Sequence, residues 1–241
     1  MDPNRSVKDR HAVDSELPTI LRFAVYTILI FSATSALPLI LQPGDIGPFK
    51  EGAWIEWCQL LLLISSAGIY FYSAFLGSHH RSILHVLGCI ALFAAIREMD
   101  QFLDALIPFV GWKIGWLIIP YVIFFAYINR SVLHRQMQQF LTTHAVVILW
   151  AGFLIVVPIA QLVGHGEFLE SLMGDNYVRD YKRVIEESLE LIGYVLILAG
   201  SVESKMDLMA IKTTDHSASQ TGKLRSTIQS SILSNILFRH K

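Results

Sequence analysis

The stretch Arg97-Glu98-Met99-Asp100-Gln101-Phe102-Leu103-Asp104 decides how this chain must fold. It lies near the end of an apolar run that begins at about Ile83, and it holds four ionisable side chains in eight residues. Such groups are costly inside a membrane unless they pair with one another, face protein or water, or serve a function. If the run spans a membrane, this stretch must therefore form one wall of a polar site inside a bundle.

The composition supports that premise. Of the 241 residues, 53% are hydrophobic and only 16% are charged, and the mean hydropathy is +0.49. Soluble domains usually contain about 25% charged residues. Together with several apolar runs of roughly 20 residues, this predicts a polytopic membrane protein. The net charge of −1 excludes the basic footprint of a nucleic-acid-binding protein, so no nucleic-acid partner is expected.

Six candidate spans follow from hydropathy, at about 19–41, 52–76, 83–107, 112–128, 143–163 and 184–202. Backbone polar groups in lipid must be satisfied within the segment, so these spans are predicted to be helices. The expected fold is all-α, a polytopic membrane helical bundle of about six transmembrane helices. Residues 1–18 would form a cytoplasmic leader, 19–202 the transmembrane domain and 203–241 a cytoplasmic tail. A cleaved signal peptide ending near Ala36 is disfavoured because the apolar run continues to Leu41.

Basic residues near the ends of the spans give the orientation. Most of them lie in the leader, the second and fourth connections and the tail, whereas Arg179, Lys182 and Arg183 in the fifth connection oppose the pattern. The positive-inside rule then places both termini in the cytoplasm. The protein is accordingly predicted to be a multi-pass cell-membrane protein, with the bacterial inner membrane as the preferred location.

This orientation places most acidic side chains in the outer half of the bundle. At 1.5 Å per residue, Glu98 and Glu187 each lie roughly 22 Å from the inner ends of their spans, and Glu190 roughly 18 Å. Arg97, Asp100, Gln101 and Asp104 have the spacing of one helical stripe. We therefore expect spans 3 and 6 to be adjacent, with Arg97 near Glu187 or Glu190. The predicted polar pocket comprises Glu56, Arg97, Glu98, Asp100, Gln101, Asp104, Glu186, Glu187 and Glu190.

Three functions remain open for this pocket. The excess of acids over bases favours binding of a cation or proton, for transport or sensing, and oxygen ligands suit Ca²⁺, Mg²⁺ or Mn²⁺. Glu98, Glu187 and Glu190 are the candidate metal ligands. An intramembrane enzyme acting on a lipid or isoprenoid headgroup is the second reading. The third is a scaffold whose salt bridges only fix the helices, so whether the chain is an enzyme stays undecided.

Two amphipathic segments are predicted at the membrane surfaces. Phe168, Leu169, Leu172 and Met173 indicate a short helix on the outer surface. The tail beyond a Ser/Thr-rich linker places apolar residues at helical spacing and contains no acid, which predicts a basic amphipathic helix on the anionic inner leaflet. Its basic residues are Lys223, Arg225, Arg239 and Lys241. Membrane lipids are thus expected partners, and a homo-oligomer is not excluded.

Three short motifs resemble those of a group of uncharacterised bacterial integral membrane proteins. They are Glu51-Gly52-Ala53-Trp54-Ile55-Glu56-Trp57, Arg97-Glu98-Met99-Asp100 and Glu186-Glu187-Ser188-Leu189-Glu190. The resemblance covers about residues 51–201. It implies a membrane bundle and carries no activity over to this chain. A more distant similarity is to the multi-span hydrolases that include alkaline ceramidases and progestin/adiponectin receptor-like proteins. Their zinc-binding histidines, including a His-x-x-x-His pair, are missing from this sequence.

Overall fold

The computed structural model describes residues 3–41, 46–50, 52–76, 80–107 and 109–207, with side chains described from residue 19 onward. This part of the chain is helical throughout and contains no strand, which confirms the all-α prediction for it. The helices are α1 (Pro3–Ile40), α2 (Trp54–Phe75), α3 (Arg81–Glu98), α4 (Asp100–Leu106), α5 (Ile118–Ile128), α6 (Arg130–Phe140), α7 (His144–Leu154), α8 (Ala160–Gly164), α9 (Gly166–Met173) and α10 (179–207). The basic segment predicted at Lys223–Lys241 lies outside the described residues.

Four helical segments are long and apolar enough to cross a membrane. They are Thr19–Ile40, Trp54–Phe75, Gly111–Ile128 and His144–Gly164, and the bent pair formed by α3 and α4 would be a fifth. These segments coincide with the predicted spans to within a few residues. The chain is therefore a helical protein with the span lengths and composition of a multi-pass membrane protein.

The third predicted span is not straight. Helix α3 ends at Glu98, and α4 leaves it at an angle of 72° after Met99. The Asp100 carboxylate accepts a hydrogen bond from the backbone N–H of Gln101 over 2.6 Å, at the start of α4, where unpaired N–H groups favour an anion. The prediction of one continuous helical stripe from Arg97 to Asp104 is therefore wrong, because the acidic residue that follows Met99 starts a new helix.

Two local features stand out: a π-helical segment in the fifth predicted span, and a side chain that caps the start of α3. Pro158 lies in a π-helical segment, Ile155–Ile159, that joins α7 to α8, since proline lacks the N–H that a regular turn requires. The side chain of Gln136 in α6 accepts hydrogen bonds from the N–H groups of Ser82 and Ile83, each over 3.1 Å. It thus satisfies the first donors of α3. The short helix predicted around residues 168–173 is present as α9, whose Leu169 is buried. Its place at the outer membrane surface stays a prediction.

Helix α10 is the central helix of the bundle. Its side chains bond to residues of α1, α2 and α3, and Asp207 near its end accepts a hydrogen bond from the backbone of Ala145 in α7. Gly152 and Gly193 allow α7 and α10 to approach closely, because a Cβ on Gly152 would lie 2.9 Å from the Gly193 carbonyl oxygen. Small residues commonly serve this purpose between membrane helices.

We expect Gly152→Ala to destabilise the protein and Gly68→Ala not to. The added methyl group of Gly152→Ala must push α7 away from the α10 backbone, and overpacking of this kind costs about 1–3 kcal/mol. Gly68 in α2 has no atom within 4 Å of an added Cβ, so alanine there gains only helix propensity, about 1 kcal/mol at most. Thermal unfolding in detergent would measure both variants. Equal midpoints for the two would contradict the close approach of α7 and α10.

Candidate polar site

A cavity of about 410 Å³ lies where α2, α3, α4 and the start of α10 meet. Eight of the nine residues predicted for the pocket line it, although they come from three separate parts of the sequence. Its lining consists of Glu56, Arg97, Glu98, Asp100, Gln101, Trp112, Arg179, Lys182, Arg183, Glu186, Glu187 and Glu190. Six carboxylates thus share the cavity with four basic side chains, an excess of acid within a volume typical of small-molecule sites.

Asp104 is the predicted pocket residue that the cavity does not include. It lies on α4 against Gly111, where φ is +46° and any Cβ would collide with the Asp104 carboxylate. The bend at Met99 is the reason, because it turns α4 away from the direction of α3. Asp104 consequently belongs to the turn that leads into the fourth span.

One ion pair joins α3 to α10 inside the site. Arg97 Nη2 lies 3.7 Å from Glu190 Oε1, and the Glu190 side chain is only 6% exposed. This confirms the prediction that spans 3 and 6 are adjacent with Arg97 near Glu187 or Glu190. A second pair, Lys182 with Glu186, also spans 3.7 Å and lies within α10. These two contacts neutralise part of the acid excess.

Two other carboxylates are held by uncharged donors. The hydroxyl of Tyr194 donates to Glu98 Oε1 over 2.7 Å, and Nε2 of Gln59 donates to Glu187 Oε2 over 3.0 Å. Tyr194 and Gln59 are both buried, so their positions are fixed by the surrounding helices. Among the described residues, no basic side chain forms an ion pair with Glu98 or Glu187. Their orientation is therefore set by neutral donors, and Arg97 acts on Glu98 only through its electrostatic field.

The three candidate metal ligands share the cavity but are not gathered as one compact set of donors. Among the described residues, the one group of three donors that lie within 4.8 Å of one another is His144, Glu203 and Asp207, near the opposite end of α10. In the outer cavity, a metal ion would have to draw Glu98, Glu187 and Glu190 together. Among the described residues, the charged cavity therefore contains no preformed set of these three carboxylates at metal-ligand distance.

A second polar cluster was not predicted from the sequence; we call it the inner cluster, after its predicted side of the membrane. Its members are Arg22, Tyr26, His144, Glu203 and Asp207. Glu203 is fully buried, with Arg22 Nη2 3.0 Å from its Oε1 and the Tyr26 hydroxyl 2.7 Å from its Oε2. Asp207 accepts a hydrogen bond from the N–H of Ala145 over 3.3 Å, at the start of α7. The sequence offered one indication of this cluster. Arg22 and Tyr26 are four residues apart, so they lie on one face of the first predicted span, near its predicted cytoplasmic end.

The carboxylates of the inner cluster are bonded by its own members, whereas Nε of Arg22 is buried without a hydrogen-bond partner among the described residues. Arg22 and Tyr26 occupy both oxygens of Glu203, and Nδ1 of His144 lies 4.0 Å from Asp207 Oδ1. Burial raises the pKa of Asp207, while the hydrogen bond from Ala145 acts in the opposite direction. These contacts connect α1, α7 and α10, so we interpret this cluster as structural and treat the charged cavity as the candidate functional site.

Comparisons with protein-family models, with curated proteins and with solved structures found no match to this chain. The fold and the cavity therefore define its class by themselves: an all-helical protein with several membrane-compatible helices and a charged internal cavity. The resemblance to bacterial membrane proteins and the distant similarity to alkaline ceramidases stay predictions.

We expect Arg22→Met to destabilise the protein strongly, because Glu203 would be left buried without its cation. Removing one partner of a buried ion pair costs about 3–5 kcal/mol. The double variant Arg22→Met/Glu203→Met should recover much of this loss, since no buried charge remains. Arg135→Met, at an exposed position of α6, is the matched control and should change little. Thermal unfolding of the wild type, Arg22→Met, Glu203→Met and the double variant gives the coupling energy, and additive effects would show that Arg22 and Glu203 do not interact.

Proposed function

We propose that this protein is a six-span protein of a cell membrane whose outward-opening cavity binds a cation or proton, for transport or sensing. In this arrangement the bent pair α3–α4 is the third span and α10 is the sixth. Six spans put both termini on the same side of the membrane, and the distribution of basic residues favours the cytoplasm. The bacterial inner membrane is the proposed location. The support for six spans is that the predicted run 83–107 coincides with the bent pair α3–α4 and the run 184–202 lies within the long helix α10.

The enclosure of α10 supports its role as a span despite its charges. Its outer half contains Glu186, Glu187 and Glu190, and its inner end contains Glu203 and Asp207. Glu190 and Glu203 are both buried by neighbouring helices. Ionisable groups in membrane helices are tolerated when they face the interior of the bundle or a water-filled cavity.

The single observation that carries the functional proposal is the set of partners that Glu98 and Glu187 have. Each carboxylate is fixed by a buried neutral donor, Tyr194 or Gln59, and each lines the cavity without an ion pair. A bound cation would supply the missing positive charge, and a proton would remove the negative one. Carboxylate oxygens are the donors that Ca²⁺, Mg²⁺ and Mn²⁺ prefer.

The ion pairs give a specific argument for a second candidate, a purely structural site. Arg97–Glu190 joins two helices, and Lys182–Glu186 joins two turns of α10. A scaffold would need contacts of this kind, but it would not need Glu98 and Glu187 without ion pairs on the cavity wall. The two candidates therefore differ in what happens when those two carboxylates are neutralised.

We expect divalent cations to stabilise the wild-type protein through these carboxylates. Ca²⁺ or Mn²⁺ at 100 times its dissociation constant should add about 2.7 kcal/mol to the free energy of unfolding. Glu98→Gln and Glu187→Gln should lose most of the shift, because each removes a charge but keeps a similar shape. Glu170→Gln, an exposed acid on α9 outside the cavity, should respond like wild type. Thermal shift measured during cation titration is the readout.

A wild-type protein that no divalent cation stabilises would contradict metal binding. The proton reading then predicts that proteoliposomes with an imposed pH gradient acidify faster when they contain wild-type protein than when they contain Glu98→Gln. If both measurements show no difference, and Glu98→Gln only lowers stability, the structural candidate is correct.

A further inference from the structure

A second cavity adjoins the polar one and has a different character. It measures about 280 Å³, and its accessible lining is mainly apolar. Its walls are formed by Gly52, Glu56, Trp57, Leu60, Glu98, Met99, Gln101 and Phe102. Glu56, Glu98 and Gln101 line both cavities, so an apolar compartment and a charged compartment meet along one shared wall.

The apolar cavity lies beside surfaces that face the surroundings of the bundle. Trp57 and Phe102 have about half of their side-chain surface exposed, at 51% and 53%, whereas Leu60 is buried in the helical core. In a membrane protein, exposed aromatic side chains on spanning helices meet lipid or its interface. The apolar cavity is thus positioned to receive a hydrocarbon chain from the side.

From these two joined cavities we infer that the ligand is a single-chain membrane amphiphile with an ammonium headgroup. Its ammonium group binds at Glu98, on the shared wall, and its hydrocarbon chain lies between Trp57, Met99 and Phe102. This inference rests on the proposed cation site and names the chemical class of the cation.

Charge complementarity selects the ammonium headgroup. The shared wall carries two carboxylates, Glu56 and Glu98, and no basic side chain among the described residues lines the apolar cavity, so the junction of the cavities is negative. Two of the four basic side chains in the polar cavity already pair with Glu190 and Glu186. A carboxylate or phosphate headgroup at the junction would therefore face repulsion from Glu98. A small inorganic cation would match the charge but would leave the apolar cavity without a role.

The inference can be tested with three probes on the full-length protein in lipid nanodiscs. Decylammonium has both features of the ligand, decanoate has the chain with the opposite charge, and Ca²⁺ is a cation without a chain. The thermal unfolding midpoint is measured against the concentration of each probe. Decylammonium should stabilise the wild-type protein, decanoate should not, and Glu98→Gln should abolish the effect of decylammonium. Glu170→Gln is the matched control and should behave like wild type.

Met99→Trp tests the apolar cavity separately from the charge. Because indole would fill the space beside Glu98, this variant should need at least ten times more decylammonium for half-maximal stabilisation while keeping its response to Ca²⁺. An unchanged response to decylammonium in a variant that still responds to Ca²⁺ would overturn the inference, since unspecific partition into lipid would be the same in both proteins. Stabilisation by decanoate equal to that by decylammonium would also overturn it.

The outcomes separate this inference from the proposed function. If Ca²⁺ stabilises the wild-type protein and decylammonium does not, the amphiphile is wrong and the cation site stands. If neither stabilises it, the amphiphile and the metal site both fail, and the pH-gradient assay on Glu98→Gln decides whether a proton site remains. Should Met99→Trp not fold, competition in the wild-type protein decides: decylammonium must raise the Ca²⁺ concentration needed for half-maximal stabilisation, and independent action of the two would reject a shared site.

Discussion

The burial of charged groups along α10 is the constraint on which the rest of the structure depends. Glu190 and Glu203 are both buried, and at 1.5 Å per residue they lie about 20 Å apart on one helix. A helix with ionisable groups at both levels cannot face lipid without a large cost. It must lie at the centre of the bundle, where Arg22, Tyr26, Gln59 and Arg97 from other helices reach its side chains.

The carboxylates at the two ends of α10 are bonded in different ways. At the inner end, Arg22 and Tyr26 satisfy both oxygens of Glu203, and the contacts hold helices together. At the outer end, the acids exceed the bases, and Glu98 and Glu187 bond only to neutral donors among the described residues. Because of this difference, we assign a stabilising role to the contacts at the inner end and propose ligand binding at the other end.

The common level of the acidic residues along the helices could be predicted from the sequence because helical rise is constant. Counting residues put Glu98, Glu187 and Glu190 at similar heights, and the Arg97–Glu190 contact confirmed that α3 and α10 are adjacent. Pairings such as Gln59 with Glu187 could not be predicted, because hydropathy does not give the rotation of one helix against another. The bend at Met99 was missed for a different reason. No proline or glycine marks it, and it depends on how Asp100 starts α4.

Access of water to Glu187 from outside the cell tests the central claim most directly. A Glu187→Cys variant would be made in a background with Cys58→Ala and Cys89→Ala, and a membrane-impermeant maleimide would be added to intact cells or to inside-out vesicles. The cavity at the outer end of α10 predicts labelling in intact cells and protection in inside-out vesicles. Labelling only in inside-out vesicles, or in neither preparation, would contradict an outward-opening polar cavity.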